Sequence, residues 1–209
     1  MIRIQDFSIQ YSDFNFSIPY LQLPSTGLIL IHGANGSGKT SLLLSITGFN
    51  KSYQGNIYLK NINIKELSHT NIIQQISFLP QISTILPPIS GLEFVQQGLY
   101  LKGEDQTAFL IEQLQISHLL SKDCHTMSGG EKQLLSFVRN LAIKKSIIIL
   151  DEPDSFLSKS NRQKIIDLIT MLSHSHLVLF SSHQYELFSP TLFLEIKEIT
   201  DYHFQIIPK

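Results

Sequence analysis

The chain carries an eight-residue glycine-rich segment, Gly33–Thr40, with the sequence GANGSGKT. It follows the apolar run 28–31 and precedes residues 41–46, whose apolar content is typical of a buried helix. A strand, the pattern GxxxxGK[ST] and a helix, in this order, are the context of a phosphate-binding P-loop. The glycines allow positive φ and close approach of the backbone, and successive N–H groups at the helix N-terminus then attract an anion. A flexible glycine turn is the alternative, and the full match with both flanks favours the P-loop.

Two side chains of this segment have specific chemical roles in such a loop. Lys39 is placed to reach the β- and γ-phosphates of a nucleotide, and the Thr40 hydroxyl is placed to ligate Mg²⁺. The sequence therefore predicts a nucleotide-binding protein before any other motif is considered.

The composition indicates a globular protein with a sizeable core. Of 209 residues, 43% are hydrophobic and 16% are charged, which is ordinary for such a protein. The net charge of −1 gives no indication of a nucleic-acid partner. The single cysteine, Cys124, excludes an internal disulfide framework. The first residues lack the apolar segment of a signal peptide, and no apolar run approaches the length of a membrane helix, so we expect a soluble protein.

The N-terminal third reads as short strands around the P-loop. Residues 2–23 alternate in places with strand periodicity and contain a predicted hairpin turn at Ser12-Asp13. Further strands are expected at 57–59, 62–64 and 76–79. Tyr11 is either a surface aromatic of a strand or a platform on which an adenine ring stacks, and aromatics are common enough in strands to favour the first reading.

From residue 82 to residue 127 the pattern becomes helical, with apolar residues at helical spacing after the Pro87-Pro88 break. We expect a separate helical unit here. Ser128-Gly129-Gly130-Glu131 then opens another predicted helix. This segment is either a second anion site at a helix N-terminus or an ordinary capping box of Ser128 with Glu131.

Polar side chains follow two continuous apolar runs that are typical of buried parallel strands. Asp151 and Glu152 follow residues 147–150, and His183 comes shortly after residues 177–180. The carboxyl ends of such strands are where open α/β sheets bind ligands. Asp151 is suited to Mg²⁺, and Glu152 is suited to activating a water molecule.

In this order the motifs resemble those of the nucleotide-binding domain of the ATP-binding cassette (ABC) superfamily, across essentially the whole chain. The motifs are the P-loop, the loop glutamine Gln81, the signature Met127-Ser128-Gly129-Gly130-Glu131, the Walker B strand ending at Asp151, the catalytic Glu152 and the switch histidine His183. The resemblance implies an α/β fold with a P-loop NTPase core, in which a parallel sheet with flanking helices is joined to an antiparallel β subdomain. The core would comprise residues 1–81 and 128–209, with an inserted α-helical subdomain at 82–127, all within a single ABC ATPase domain.

The resemblance also implies the partners and the site. Two domains, either two copies or a copy and a paralogue, would pack head to tail with each ATP between two chains, and a membrane-spanning permease subunit would complete a transporter. Catalysis would fall to Glu152, His183 and Gln81, and Mg²⁺ to Thr40, Gln81 and Asp151. ATP would contact Tyr11 (now as the adenine platform), Asn35, Gly36, Ser37, Gly38, Lys39, Thr40 and Ser41, and, in trans, Ser128, Gly129, Gly130 and Glu131.

Departures from the family pattern fall on communication between subunits. Glu131 stands where the signature usually has Gln, Leu134 where a basic residue is usual, and Ser158 and Gln184 where Asp is common. We expect slow or tightly coupled hydrolysis.

The branch of the family is suggested by residues 88–100, which resemble the start of the helical unit in metal and metal-chelate importers. A small exporter ATPase and a soluble ABC ATPase of the iron–sulphur cluster assembly type are the alternatives. We expect a cytoplasmic protein, peripheral on the inner face of the membrane, with a helix of the permease docked in a groove between Gln81 and Tyr100.

Overall fold

The computed structural model describes residues 1–12, 14–81, 88–182, 185–200 and 203–208. Ten strands form one sheet: β1 (Ile2–Tyr11), β2 (Phe14–Gln22), β3 (Gly27–Gly33), β4 (Gln54–Leu59), β5 (Ile62–Asn63), β6 (Ile76–Leu79), β7 (Ile147–Asp151), β8 (Leu177–Ser181), β9 (Leu192–Thr200) and β10 (His203–Pro208). The α-helices are α1 (Lys39–Ile46), α2 (His69–Ile73), α3 (Gly91–Gln96), α4 (Thr107–Leu114), α5 (Gly129–Leu141) and α6 (Lys159–Ser173). Short 3₁₀ turns cover 64–66, 97–100, 117–119, 124–126 and 185–187.

The strand order is β5-β4-β1-β2-β10-β9-β3-β8-β7-β6. The half from β9 to β6 is parallel, and β5, β4, β1 and β2 pair antiparallel with one another. β10 joins the halves, because it pairs antiparallel with β9 and parallel with β2. The predicted fold class is thus confirmed, with its parallel and antiparallel parts hydrogen-bonded into one sheet.

Both faces of the parallel half are buried, which explains why its strands are continuous apolar runs. Alternate residues of β3, β7 and β8 belong to two different cores. One core, containing Leu30, Leu150 and Phe180, lies against α3 to α6. The other, containing Ile29 and Ile149, lies against α1 and the antiparallel strands. Helices on both faces hold the carboxyl ends of the parallel strands at a fixed edge.

Helices α3 and α4 pack with α5 and α6 in the first of these cores. Phe94 of α3 is one of the residues of this core. It is 2% exposed, and the guanidinium of Arg139 lies 4.7 Å from its ring centroid. Tyr100, by contrast, is 70% exposed. α3 therefore packs one face into the core, and Tyr100 is exposed in the 3₁₀ turn that follows this helix.

Two local expectations need adjustment. The strand expected at 62–64 covers only Ile62–Asn63, because the Asn63 side chain accepts a hydrogen bond from the Lys65 N–H and begins a 3₁₀ turn. The turn between β1 and β2 includes Ser12 in a left-handed conformation (φ 47°), whereas Asp13 lies outside the described residues. Within the described ranges, no helix is both long and apolar enough to cross a membrane.

Candidate nucleotide-binding site

The P-loop lies between the carboxyl end of β3 and the first turn of α1. Gly36 (φ 77°) and Gly38 (φ 99°) adopt left-handed conformations that favour glycine. A Cβ on Gly38 would also lie 3.0 Å from the Phe14 ring. The backbone can therefore take this tight path only with glycine at these positions.

Lys39 is folded back onto the loop. Its Nζ donates hydrogen bonds to the carbonyl oxygens of Gly33 (2.8 Å) and Ala34 (2.9 Å), and the residue is 6% exposed. Burial lowers the pKa of the Lys39 amine below its usual range, an effect that Glu152 and Asp151 partly oppose. The amine thus sits beside the loop and two carboxylates, where an arriving phosphate would be a stronger partner than neutral carbonyls.

Asp151, at the end of β7, is held by two hydroxyl groups. Its Oδ2 accepts a hydrogen bond from Thr40 Oγ1 (2.7 Å), and its Oδ1 accepts one from Ser181 Oγ (2.6 Å). The neighbouring strand β8 brings Ser181 into register with Asp151. Hydroxyl, carboxylate and amide oxygens are the donors that Mg²⁺ prefers. Thr40, Asp151 and Gln81 therefore fit the predicted ion by their chemistry.

Glu152 is the second acid at this edge. It is 9% exposed and has φ 49°, an uncommon conformation for a non-glycine residue that is often found at functional sites. Its N–H donates to Ser181 Oγ (3.0 Å), and its Oε2 accepts from Gln81 Nε2 (2.7 Å) and Ser155 Oγ (3.1 Å). The predicted catalytic acid and the loop glutamine are in direct contact.

These residues surround one open cavity of about 730 Å³. Its lining consists of Tyr11, Phe14, Asn35, Gly36, Ser37, Gly38, Lys39, Thr40, Ser41, Gln81 and Glu152. Ser37 and Tyr11 differ in the exposure of their side chains. The Ser37 side chain is fully buried, whereas Tyr11 is 50% exposed, lies stacked on Phe14 at a centroid distance of 6.5 Å, and receives a hydrogen bond on its hydroxyl from Asn50. The cavity thus combines a phosphate-binding loop, an aromatic mouth and, nearby, the end of β7 with its two carboxylates.

The signature segment is absent from this lining. Ser128 caps α5 in a capping box with Glu131, whose carboxylate also pairs with Lys122 Nζ at 2.9 Å. The carbonyl oxygen of Phe156 lies 3.2 Å from where a Cβ on Gly130 would be. His183 falls outside the described residues. Among the described residues, the cavity is therefore lined without any residue of the signature segment.

Sequence reasoning missed Phe14 and gave no role to Ser181. Phe14 reaches the P-loop only because β1 and β2 form a hairpin, so no local pattern indicates its position. Ser181 could have been found, since it ends an apolar strand next to the one that delivers Asp151.

Comparison with known proteins gives the class to which this fold and site belong. The sequence profile of the ABC transporter family matches residues 17–155, more than half of the chain. The cytochrome c biogenesis ATP-binding export protein of Rickettsia typhi is 34% identical over 181 residues, covering 84% of this chain and 87% of that protein. The zinc import ATP-binding protein of Wolbachia pipientis is also 34% identical, over 163 residues, covering 75% of this chain and 62% of that protein. A solved dimeric ATP-binding cassette in a post-hydrolysis state, bound to ADP and Pi, superimposes with a TM-score of 0.83 at 19% identity, covering 100% of this chain and 98% of that one.

The chain belongs to the ABC transporter family. It is an ATPase of the ABC type, the ATP-binding subunit of a transporter.

Proposed function

We propose that the chain works as one half of a head-to-tail ATPase dimer, formed with a second copy or a paralogue. The cavity presents the P-loop and Glu152 on one side, and no residue of 128–131 lines it. A phosphate bound there would keep one side exposed until the segment Ser128–Glu131 of a partner covered it. The dimeric ATP-binding cassette of similar fold supports this arrangement.

In this dimer the P-loop residues and Tyr11 hold ATP in one subunit. Thr40, Asp151 and Gln81 hold Mg²⁺, which, when bound, offsets the charge of the phosphates. Glu152 orients and activates the attacking water, which its buried position beside Gln81 supports. His183, which lies outside the described residues, is assigned to the γ-phosphate from the family pattern.

A second cavity supports coupling to a membrane partner. A groove of about 580 Å³ lies between β6, α2 and α5, and its lining includes Phe49, Pro80, Tyr100 and Arg139. Pro80 lines this groove and the next residue, Gln81, lines the nucleotide cavity. This adjacency is the observation that carries the proposal, since a change at Glu152 would reach the groove through a single residue.

The occupant that fits such a groove is a cytoplasmic helix of a membrane-spanning permease subunit. The chain would then be cytoplasmic and peripheral on the inner face of the membrane, and residues 82–127 would be the inserted subdomain that moves with the permease. We take import of a metal or metal chelate as the first assignment, from residues 88–100 and the zinc-import relative. A small exporter ATPase is the alternative, and the cytochrome c biogenesis relative is named as an export protein. The remaining alternative is a soluble role in iron–sulphur cluster assembly. Purifying the complex from membranes and identifying the subunit that copurifies would distinguish this role from import and export.

The test of the dimer is Glu152→Gln. A glutamine keeps a carbonyl oxygen for the hydrogen bonds from Gln81 and Ser155 but cannot act as a base. We expect ATP binding to persist, turnover to stop, and a dimer to accumulate with Mg-ATP in sedimentation velocity over a concentration series. Monomer at every concentration would contradict the proposed arrangement.

A further inference from the structure

A carboxylate occupies the N-terminus of α5, where the proposed dimer requires an anion to bind. Glu131 Oε2 accepts hydrogen bonds from the Ser128 N–H (2.7 Å) and the Ser128 hydroxyl (2.8 Å). The hydroxyl oxygen in turn accepts the Glu131 N–H at 3.3 Å. Since a serine hydroxyl has a single proton, the donor that a γ-phosphate would need is already engaged by Glu131.

This carboxylate is also charged at every pH of interest. Hydrogen bonds from Lys122 and Ser128 lower the pKa of Glu131 to about 2. An uncompensated negative charge beside Gly129 and Gly130 would repel a polyphosphate that approaches from a partner chain.

Lys122 is the counter-charge. Its Nζ contacts both oxygens of Glu131, at 2.9 Å and 3.1 Å. Both backbone polar groups of Lys122 are hydrogen-bonded. Its N–H donates to Leu119 O, and its carbonyl oxygen accepts from the Gly91 N–H. The Lys122 ammonium is thereby held next to Glu131. Lys122 belongs to the helical unit, whereas Glu131 belongs to α5.

We propose that Lys122 is a positioning residue of the nucleotide site formed in trans: it neutralises Glu131 and retains that carboxylate when the Ser128 hydroxyl turns to the γ-phosphate of the partner chain. This inference rests on the proposed head-to-tail dimer. It explains how a glutamate serves at a position where the family usually has Gln, since the Lys122–Glu131 pair has no net charge.

The test is a double-mutant cycle of Lys122→Met and Glu131→Gln in the Glu152→Gln background, with ATP-driven dimerisation as the readout. Lys122→Met should raise the ATP concentration for half-maximal dimerisation at least about threefold at low salt. Glu131→Gln removes the charge that Lys122 neutralises, so adding Lys122→Met to Glu131→Gln should change that concentration little. The matched control is Lys144→Met, which removes an exposed pair with Glu104 (3.2 Å) elsewhere on the chain and should leave dimerisation unchanged.

Salt separates a charge effect from a packing effect. The Lys122→Met defect should shrink between about 0.01 M and about 0.5 M salt, because screening weakens exposed charges. Thermal melting and ATP affinity of the monomer check that each variant is folded. Lys122→Gln, which is uncharged but keeps a hydrogen-bond donor, is the second variant if Lys122→Met unfolds.

The outcomes are distinct from those of the dimer proposal. If the Glu152→Gln parent fails to dimerise with ATP, the dimer itself is disproved. If the parent dimerises and neither Lys122 variant shifts the curve, or if the shift is as large in the Glu131→Gln background, the role assigned to Lys122 is wrong.

Discussion

At the scale of single residues, the described site is held by short hydrogen bonds that converge on two carboxylates. Ser181 donates to Asp151 and accepts from the Glu152 N–H, so one hydroxyl fixes the relative position of both acids. Thr40 connects the same Asp151 to the P-loop. The relative positions of the two acids and the P-loop are therefore set by residues from the ends of β7 and β8 and from α1 together. Catalysis by positioning is what phosphoryl transfer requires of a protein.

Lys39→Ala should weaken ATP binding and abolish hydrolysis. The substitution removes the buried ammonium beside the loop, and hydrogen bonds to a charged group contribute about 1.5–3 kcal/mol each, so the affinity should fall by roughly ten- to a hundredfold. Equilibrium titration with a fluorescent ATP analogue measures this change. Lys145→Ala is the matched control, because burial also lowers the pKa of the Lys145 amine but the residue lines the groove. Equal affinities of Lys39→Ala and the unmodified chain would disprove the assignment of the P-loop lysine.

Most of the candidate site could be predicted from local sequence. Lys39, Gln81 and Glu152 line the cavity, because a P-loop pattern and acids at strand ends are local signals with a fixed place in the fold. Phe14 was missed because its contact with Gly38 depends on a strand pairing. The roles assigned to the nucleotide-binding residues stay predictions until variants are measured.

At the scale of secondary-structure elements, Ser158 is the N-cap of α6. Its hydroxyl accepts a hydrogen bond from the Asn161 N–H at 3.3 Å, and its backbone is extended. Serine and aspartate are similarly good N-caps, and a negative charge is favourable at a helix N-terminus. The position where the family commonly has Asp therefore keeps its capping role with Ser.

Ser158→Asp should leave the stability of the chain unchanged or slightly higher, with basal hydrolysis equal or faster and ATP affinity little changed. The cap is retained, and Ser158 is not among the residues that line the nucleotide cavity. Thermal denaturation and steady-state ATPase assays measure both effects. Ser158→Ala, which removes the cap, should cost about 0.5–2 kcal/mol of stability. A large loss of ATP binding in Ser158→Asp would show that this loop has been misassigned.

The elements themselves were predictable to different extents. The strands β3, β7 and β8 are recognisable in the sequence as continuous apolar runs, because both of their faces are buried. β9 and β10 were not anticipated, although they join the two halves of the sheet. Such a junction depends on pairing between residues far apart in sequence, such as His203 with Asn15, and periodicity carries no information about partners.

At the scale of the whole molecule, the nucleotide cavity and the groove lie on either side of the end of β6. Leu79 and Pro80 line the groove, and Gln81 donates its hydrogen bond to Glu152 in the nucleotide cavity. Loss or reorientation of that bond during hydrolysis would displace Gln81 and, with it, Pro80 in the groove. A hinge of this kind converts a local change into a rigid-body movement.

Tyr100→Glu should therefore uncouple the ATPase from its membrane partner without impairing the isolated subunit. Tyr100 is 70% exposed and lines the groove, so a carboxylate there would oppose docking of an apolar helix but disturb no core packing. The neighbouring Leu99 is half-buried, which makes Tyr100 the sharper probe. The measurements are the fraction of the protein that sediments with membranes prepared from the cells that express it, and basal ATP hydrolysis by the purified subunit.

Tyr20→Glu is the matched control, since Tyr20 is 57% exposed on β2 and does not line the groove. We expect membrane retention to fall for Tyr100→Glu alone, with hydrolysis equal in both variants. Equal retention of the two variants would remove the groove from the coupling path, whereas a loss of hydrolysis in Tyr100→Glu would show that the groove and the catalytic site cannot be separated.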